Sequence, residues 1–441
     1  MGCYGAHRGA MNRRFLLLFL CVFWTACGGA RVPMAPVESP HFEAVSKELR
    51  LGGTVYTYVD IDGDAERAAD FVLSLLRDLP ELFSEHGTSR LSATAVARIL
   101  GLHDVKAVGL SSYEDGELYQ NRSFIHHAGV RQGLLRLFGG DPTELGILEI
   151  APPEADFVWE QQLDVGALVD IVRDLGSLGL GMSPEELDDA LREPVLGLGV
   201  SLGQLVEGLQ ATAGLVLEVH EDRELSIPGE GFAFPHTEFL FRIDGLSALA
   251  DAIVERAASD PLLRSTQTPD WIIVSPAIRL PPPWNAYEPS FAKEVATGRI
   301  YAASSPAFLK RCVGTVEGIT TTAEFVRAFA HLPREGNGLA YLTPTMTRAM
   351  HGLLDQIAGV NGSSIPVKLA RFFLPDAGSP VAWVAESRPN GLLFASHTSS
   401  SHKSTLLTFG AAALLPGIAV VGASWLGGGA EQEEPPFVPP F

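Results

Sequence analysis

Residues 199–203 read Gly-Val-Ser-Leu-Gly, a G-x-S-x-G pentapeptide between an apolar stretch and "QLVEGLQ". A serine on such a strand–turn–helix elbow would offer its hydroxyl as a nucleophile, activated by a later acid and histidine. His220, His236 and His331 all follow Ser201, so chain order permits a triad. Against it, no segment signals an oxyanion-hole loop, and the surrounding hairpin pattern is not the parallel sheet such an elbow crowns. A chain with 45 glycines also produces the pentapeptide by chance. A serine hydrolase built on Ser201 is therefore the alternative reading, and a non-catalytic protein the leading one.

Two other constellations carry less. "DIDGD" places Asp60, Asp62 and Asp64 at alternate positions, as a calcium loop would. The EF-hand pattern needs Gly at its sixth position and Glu at its twelfth, where this chain has Ala65 and Phe71. A turn followed by a helix N-terminus, whose positive end favours acids, explains the aspartates without an ion. His126 and His127 are neighbours on a predicted strand, so their rings point to opposite faces and suit one metal poorly. No HExxH, phosphate-binding loop or dinucleotide fingerprint is present, and the expectation is no cofactor and no metal.

The charge balance narrows the partners. With 32 Lys and Arg against 52 Asp and Glu, the net charge is −20. Nucleic acid needs clustered cations to displace counterions, and anionic lipid attracts polybasic segments; this chain offers neither. Hydrophobic residues make up 46% of the sequence, enough to build packed cores rather than a disordered polyelectrolyte.

Both ends address a membrane. Arg13 and Arg14 head an apolar run from Phe15 to Trp24, followed by Thr25-Ala26 and then Cys27. Ten apolar residues are too few to span about 30 Å of hydrocarbon, but they fit a secretory signal. The segment resembles a bacterial lipoprotein signal, with Trp24 where leucine is usual. That resemblance implies removal of residues 1–26, a diacylglycerol on Cys27, and a periplasm-facing place in the cell envelope. Gly28 in place of Asp then favours the outer membrane. Cleavage after Ala26 without lipid is the competing outcome. Cys3 and Cys21 would leave with the signal, so Cys312 is a lone thiol without a disulfide partner, expected to be buried and inert. Near the other end, residues 404–428 are uncharged and long enough to span. Their acidic flank, "GAEQEEPPFVPPF" (429–441), opposes the positive-inside tendency. Membrane insertion and a buried helix pair broken at Pro416 both stay open.

Between the ends the chain is patterned. Residues 27–50 lack periodicity and carry prolines, as a tether would. Beyond them, "TVYTYVDID" (54–62), "ADFVWEQQLD" (155–164), "TEFLFRIDG" (237–245) and "GLAYLTP" (338–344) are β-rich runs, each ending in turn chemistry and leading into an amphipathic helix. Hairpin signals follow, at Glu114-Asp115-Gly116 and Pro389-Asn390-Gly391, and as the looser pairs "VLGLGVSLG"/"GLVLEVHE" and "DWIIVSPAIRL"/"TGRIYAASSPAFL". Ser305 with Pro306, and Ser183 with Glu186, carry helix-start chemistry. The expected fold class is α+β: four repeated strand–helix–hairpin units forming mainly antiparallel sheets covered by helices, in two pseudo-repeated domains, 51–225 and 226–403. With its "SSPAFL" and "GNGLAYLTP" turns, the stretch from about 50 to 400 resembles a broad group of uncharacterised exported bacterial proteins. That resemblance brings no activity with it.

The expected function is a non-catalytic, lipid-anchored envelope protein for binding or scaffolding. Its unknown partner is a protein, or an apolar or lipid ligand held in a groove beside residues such as Phe71, Leu75 and Val169. Mass spectrometry of the mature protein from a bacterial host should find Cys27 at the N-terminus carrying acyl chains. An intact residue 1–26 segment would contradict that expectation.

Overall fold

In the computed structural model the described residues are 39–65, 67, 69–70, 92–175, 177, 183–195, 199–208, 210–226, 233–361, 367–368, 370–371 and 374–403. Cys27, Phe71, Leu75 and the segments 404–428 and 429–441 lie outside them, and so do the expectations placed on them.

Alternation of apolar and polar residues makes strands with one face turned to a core. β1 (Val55–Asp60) is followed by the hairpin of β2 (Val105–Asp115) and β3 (Leu118–His127). Its turn sits where expected: Asp115 pairs with Leu118, and Gly116 holds φ +63°, a conformation open to glycine without steric cost. β4 (Thr143–Glu144) precedes β5 (Phe157–Asp164). β6 (Pro194–Val195) and β7 (Val200–Ser201) form an isolated ladder. The longest strands, β8 (Gln210–Ser226) and β9 (Ala233–Ile243), pair with each other. β10 (Leu263–Gln267), β11 (Trp271–Pro276), β12 (Ser290–Glu294) and β13 (Ile300–Ala303) follow. β14 (Glu335–Gly336) pairs with β4, and β15 (Gly338–Leu342) precedes the hairpin of β16 (Val381–Arg388) and β17 (Gly391–Thr398).

Thirteen strands form one sheet in the order β1-β2-β3-β17-β16-β15-β5-β8-β9-β13-β12-β11-β10. Every pairing among the described strands is antiparallel. The fold is α+β, a large antiparallel sheet with helices. The join expected between residues 225 and 226 falls at the end of β8, which is hydrogen-bonded to β9, so both halves share this sheet.

Two expected pairings differ. Among the described residues "VLGLGVSLG" contributes to the two-residue β6–β7 ladder, while "GLVLEVHE" belongs to β8, flanked by β5 and β9. Strands β11 and β13 are not neighbours: β12 stands between them, hidden in the sequence inside a proline-rich stretch. Alternate burial of Ser290 and Ala292 is its only local mark, and five residues are too few to show a period against flanking prolines.

Among the described residues the α-helices include α1 (Phe42–Glu48), α2 (Ala93–Ile99), α3 (Val165–Leu175), α4 (Pro184–Arg192), α5 (Leu202–Gly208), α6 (Ser247–Ser259), α7 (Pro306–Val313), α8 (Ala323–Ala328) and α9 (Pro344–Asn361). Helix α1 lies within the stretch expected to be a tether. Its Val45, and Leu49 just after it, pack with Ala107, Phe124 and Leu393, which gives an otherwise polar segment a reason to order. On the same face, α7 and α8 press Phe308, Leu309, Cys312 and Phe325 onto Val158, Val216, Leu240, Leu339 and Val384. Each such fully buried large side chain contributes roughly 1.5–3 kcal/mol. Ser305 caps α7, accepting from Phe308 N at 3.1 Å with Pro306 at the first turn, as its sequence chemistry indicates. Strand residues of opposite parity, Ile243 and Phe291 among them, pack with Leu246 and Ala250 at α6. Helices thus cover both faces.

A buried charge network sits at the centre of the sheet. Glu160 on β5 and Arg242 on β9 both pair in register with Gly214 on the intervening β8. With no side chain at that position, Arg242 Nη2 reaches Glu160 Oε2 at 3.4 Å and Asp244 Oδ2 at 3.2 Å. Ile147 fills the remaining space: its N–H donates to Glu160 at 2.5 Å, and a Cβ on Gly214 would lie 2.7 Å from its Cδ1. Burial raises the Glu160 acid above its ordinary value, with Arg242 opposing that rise.

Arg242→Leu should cost about 3–5 kcal/mol by chemical denaturation, because it leaves Glu160 buried and unpaired. A carboxyl raised in the folded state stabilises below its unfolded value near 4.5 and loses that contribution as pH climbs through the folded value. The variant's deficit should therefore shrink on acidification, and adding Glu160→Gln should recover much of it at neutral pH.

Candidate functional site

Ser201 is placed as a helix cap. Its Oγ accepts from Gln204 N at 3.1 Å, and Gln204 Oε1 accepts from Ser201 N at 2.9 Å, a reciprocal capping box at the start of α5. None of His220, His236 and His331 hydrogen-bonds to it. His331 Nε2 instead lies 3.2 Å from Asp115, and His220 and His236 sit together on the β8–β9 ladder. The elbow's parallel sheet is absent among the described residues.

The three aspartates of "DIDGD" form a turn, as the residues suggested. Asp60 Oδ1 accepts from Asp62 N at 3.1 Å, Asp62 pairs with Lys106 Nζ at 2.8 Å, and Asp64 pairs with Arg67 at 3.1 Å. The Lys106 hydrogen bond holds the Asp62 acid below its ordinary value. His126 Nδ1 lies 2.8 Å from Asn390 O, whereas His127 is buried. Cys312 is buried within the main core, where burial pushes its thiol up to about 12, out of reach of ordinary thiolate chemistry.

Among the described residues, one group of His, Cys, Asp or Glu side chains is close enough to share an ion: Glu218, His220 and Glu238, with ligand atoms all within 4.8 Å of one another. Its geometry follows from strand periodicity. Glu218 and His220 are two apart on β8; His236 and Glu238 are two apart on β9; and the register pairs Glu218 with Glu238 and His220 with His236. All four therefore project from one face. His220 Nε2 lies 3.6 Å from Glu218 Oε1 and 3.8 Å from Glu238 Oε2. Arg311 of α7 donates through Nη2 to Glu218 Oε2 and, at 3.0 Å, to Glu238 Oε2. The hydroxyl of Ser305 donates to Glu238 Oε1 at 3.3 Å. Burial raises the Glu218 acid, and Arg311 and His220 oppose the rise. Burial also lowers the His236 value, with His220 adding to the effect, which favours neutral imidazole.

The other parity of the same two strands lines a different environment. Leu217 and Phe239, with Leu225 and Phe234 from beyond the irregularity after His220, form one wall of a cavity of about 590 Å³, faced by Trp284 and Tyr287 from the proline-rich stretch before β12. That volume is within the range of small-molecule sites. A second cavity of about 640 Å³ shares Leu280, Tyr287 and Pro289 with the first, but is lined by Glu238, Arg279 and the Arg264–Glu288 ion pair. Tyr287 stands between them. Its ring stacks on His236 at 4.9 Å and its hydroxyl accepts from Thr237 N at 3.4 Å. An apolar compartment and a charged one thus share a wall.

The sequence carried one signal for the polar cluster. "EVH" at 218–220 and "HTE" at 236–238 mirror each other about the β8–β9 turn. Their alignment rests on an irregularity between His220 and Glu224, which residue patterning does not announce. If Ser201 serves as a cap, Ser201→Ala should cost about 1 kcal/mol in thermal or denaturant unfolding, and the protein should not label with a serine-reactive phosphonate. Compared with protein-family models, curated proteins and solved structures, the chain matches none.

Proposed function

We propose that this protein is a non-catalytic binding protein of the bacterial cell envelope. It is tethered through a lipid on Cys27 on the periplasmic side, with the outer membrane favoured, and it takes an amphiphile with a hydrocarbon tail and a polar head. The observation that carries this reading is the pair of adjoining cavities. The tail fits the compartment walled by Leu217, Phe239 and Trp284, and the head meets the charged one beyond Tyr287. Burying apolar surface contributes about 25 cal/mol per Å², so a chain entering the first cavity supplies the driving force and the second selects the head. The serine-hydrolase alternative on Ser201 gains no support from that residue's capping role. No described helix is long and apolar enough to cross a membrane, so the span expected at 404–428 stays a proposal alongside the anchor.

We further infer that the sheet was built from four copies of a strand–helix–hairpin unit. The copies open at β1, β5, β9 and β15, each first strand leading into helical residues, with two copies in the half 51–225 and two in the half 226–403.

The full chain should bind a fluorescent long-chain fatty-acid probe, and an unlabelled amphiphile should displace it. Trp284 is 45% exposed, so Trp284→Ala should leave the fold intact while weakening binding about ten-fold, a loss near 1.4 kcal/mol. Absence of displaceable binding, or no effect of that variant, would contradict the proposal.

A further inference from the structure

Two carboxylates and one guanidinium leave an uncompensated negative charge at the Glu218–Glu238–Arg311 cluster, and His220 leans into it. From this arrangement we propose that Glu218, His220 and Glu238 form a site for a divalent transition-metal ion, with His236 as a fourth donor and Arg311 as the resident cation that the metal displaces.

Three features point this way. First, the spacing fits. Donors about 2.0–2.2 Å from a tetrahedral zinc sit roughly 3.3–3.6 Å from one another. His220 Nε2 already lies 3.6 and 3.8 Å from one oxygen of each glutamate, so small side-chain shifts close the site. Second, His236 is 9% exposed, its ring is 5.4 Å from that of His220 on the same face, and its buried Nδ1 has no hydrogen-bond partner. A buried, unpaired ring nitrogen is costly unless something occupies it. A ligand ion reached by side-chain rotation would answer that cost. Third, the glutamates are oriented from outside the site. Ser305, itself fixed as the cap of α7, holds Glu238 Oε1 and leaves Oε2 facing His220 and Arg311. Outer hydrogen bonds of this kind orient the ligands of metal sites.

Arg311 is the competitor. Its side chain is 41% exposed, on the last turn of α7 with its guanidinium 5.0 Å from the Phe308 ring centre. It can withdraw to solvent without leaving a buried cation behind. Mixed imidazole and carboxylate donors suit zinc and neighbouring first-row ions better than calcium, which takes oxygen donors. The donors project from the opposite face of β8 and β9 to Leu217 and Phe239, but Glu238 also lines the charged cavity; zinc is therefore titrated without amphiphile, and Trp284→Ala, which touches no metal donor, tests the amphiphile reading separately.

The test is titration of the full, chelator-stripped chain with Zn²⁺ against a chromophoric chelator, with thermal melts to check that each variant folds. One ion should bind per chain. Glu218→Gln and His220→Ala should each weaken it at least about ten-fold, and Arg311→Gln should tighten it about ten-fold. Should Glu218→Gln fail to fold, Glu238→Gln, at a less buried position, gives the same readout. Binding that is absent, or equally strong in the ligand variants, would overturn the proposal.

Discussion

Two strand edges that could not be left open hold this molecule together. A strand edge exposes a row of unpaired N–H and C=O groups, and proteins must cover or pair such rows. Strands β5 and β15 satisfy each other along five residue pairs, from Gly338 with Gln161 to Leu342 with Phe157. That seam joins the strands from β1 to β15 with those from β5 to β10 into one sheet. Polar side chains lock it at both ends. Asp156 takes the Thr343 hydroxyl at 2.6 Å and Val219 N at 2.9 Å, while buried Asn337 accepts from Ser387 N at 2.7 Å and donates to Gln162 Oε1 at 2.8 Å. The Glu160–Arg242 network crosses the neighbouring strands and extends the constraint to β9. Register is thereby fixed, and register decides which residues of β8 and β9 share a face.

The functional geometry follows from that register. A sheet shifted by one residue would exchange its two faces. Here one parity of β8 and β9 brings Glu218, His220, His236 and Glu238 together under α7, while the other brings Leu217 and Phe239 to an apolar cavity. One pair of strands serves two environments that share Tyr287 as a wall. The proline-rich stretch before β12 brings Trp284 and Tyr287 to that cavity, because a segment dense in proline holds an irregular path without needing ladder hydrogen bonds.

Local chemistry was legible in the amino-acid sequence; long-range pairing was not. The turns at Gly116 and at Pro389-Asn390, the capping box of Ser183 with Glu186, the Ser305 cap and the buried thiol of Cys312 all depend on a few adjacent residues, and all stand as their types imply. Helix α1 escaped because its order comes from Val45 meeting Ala107 and Phe124, partners more than fifty positions away. Strand β12 escaped because five residues among prolines carry too little period. The Glu–His cluster was hidden for a third reason. Its residues are visible as mirrored tripeptides, but bringing them opposite requires the irregularity after His220, a property of the folded hairpin. Ser201 shows the reverse error, a motif whose residues are present while the structure uses the serine to begin a helix.

On the proposed function, the cavity beneath Trp284 and Tyr287 receives the hydrocarbon tail of an amphiphile. Photo-crosslinking the full chain with a diazirine-bearing fatty acid, followed by peptide mass spectrometry, addresses it most directly. Adducts should concentrate on Leu217, Phe239, Trp284 and Tyr287 and should disappear when excess unlabelled fatty acid is present. Adducts scattered over other surfaces, or labelling that competitor does not reduce, would contradict the account.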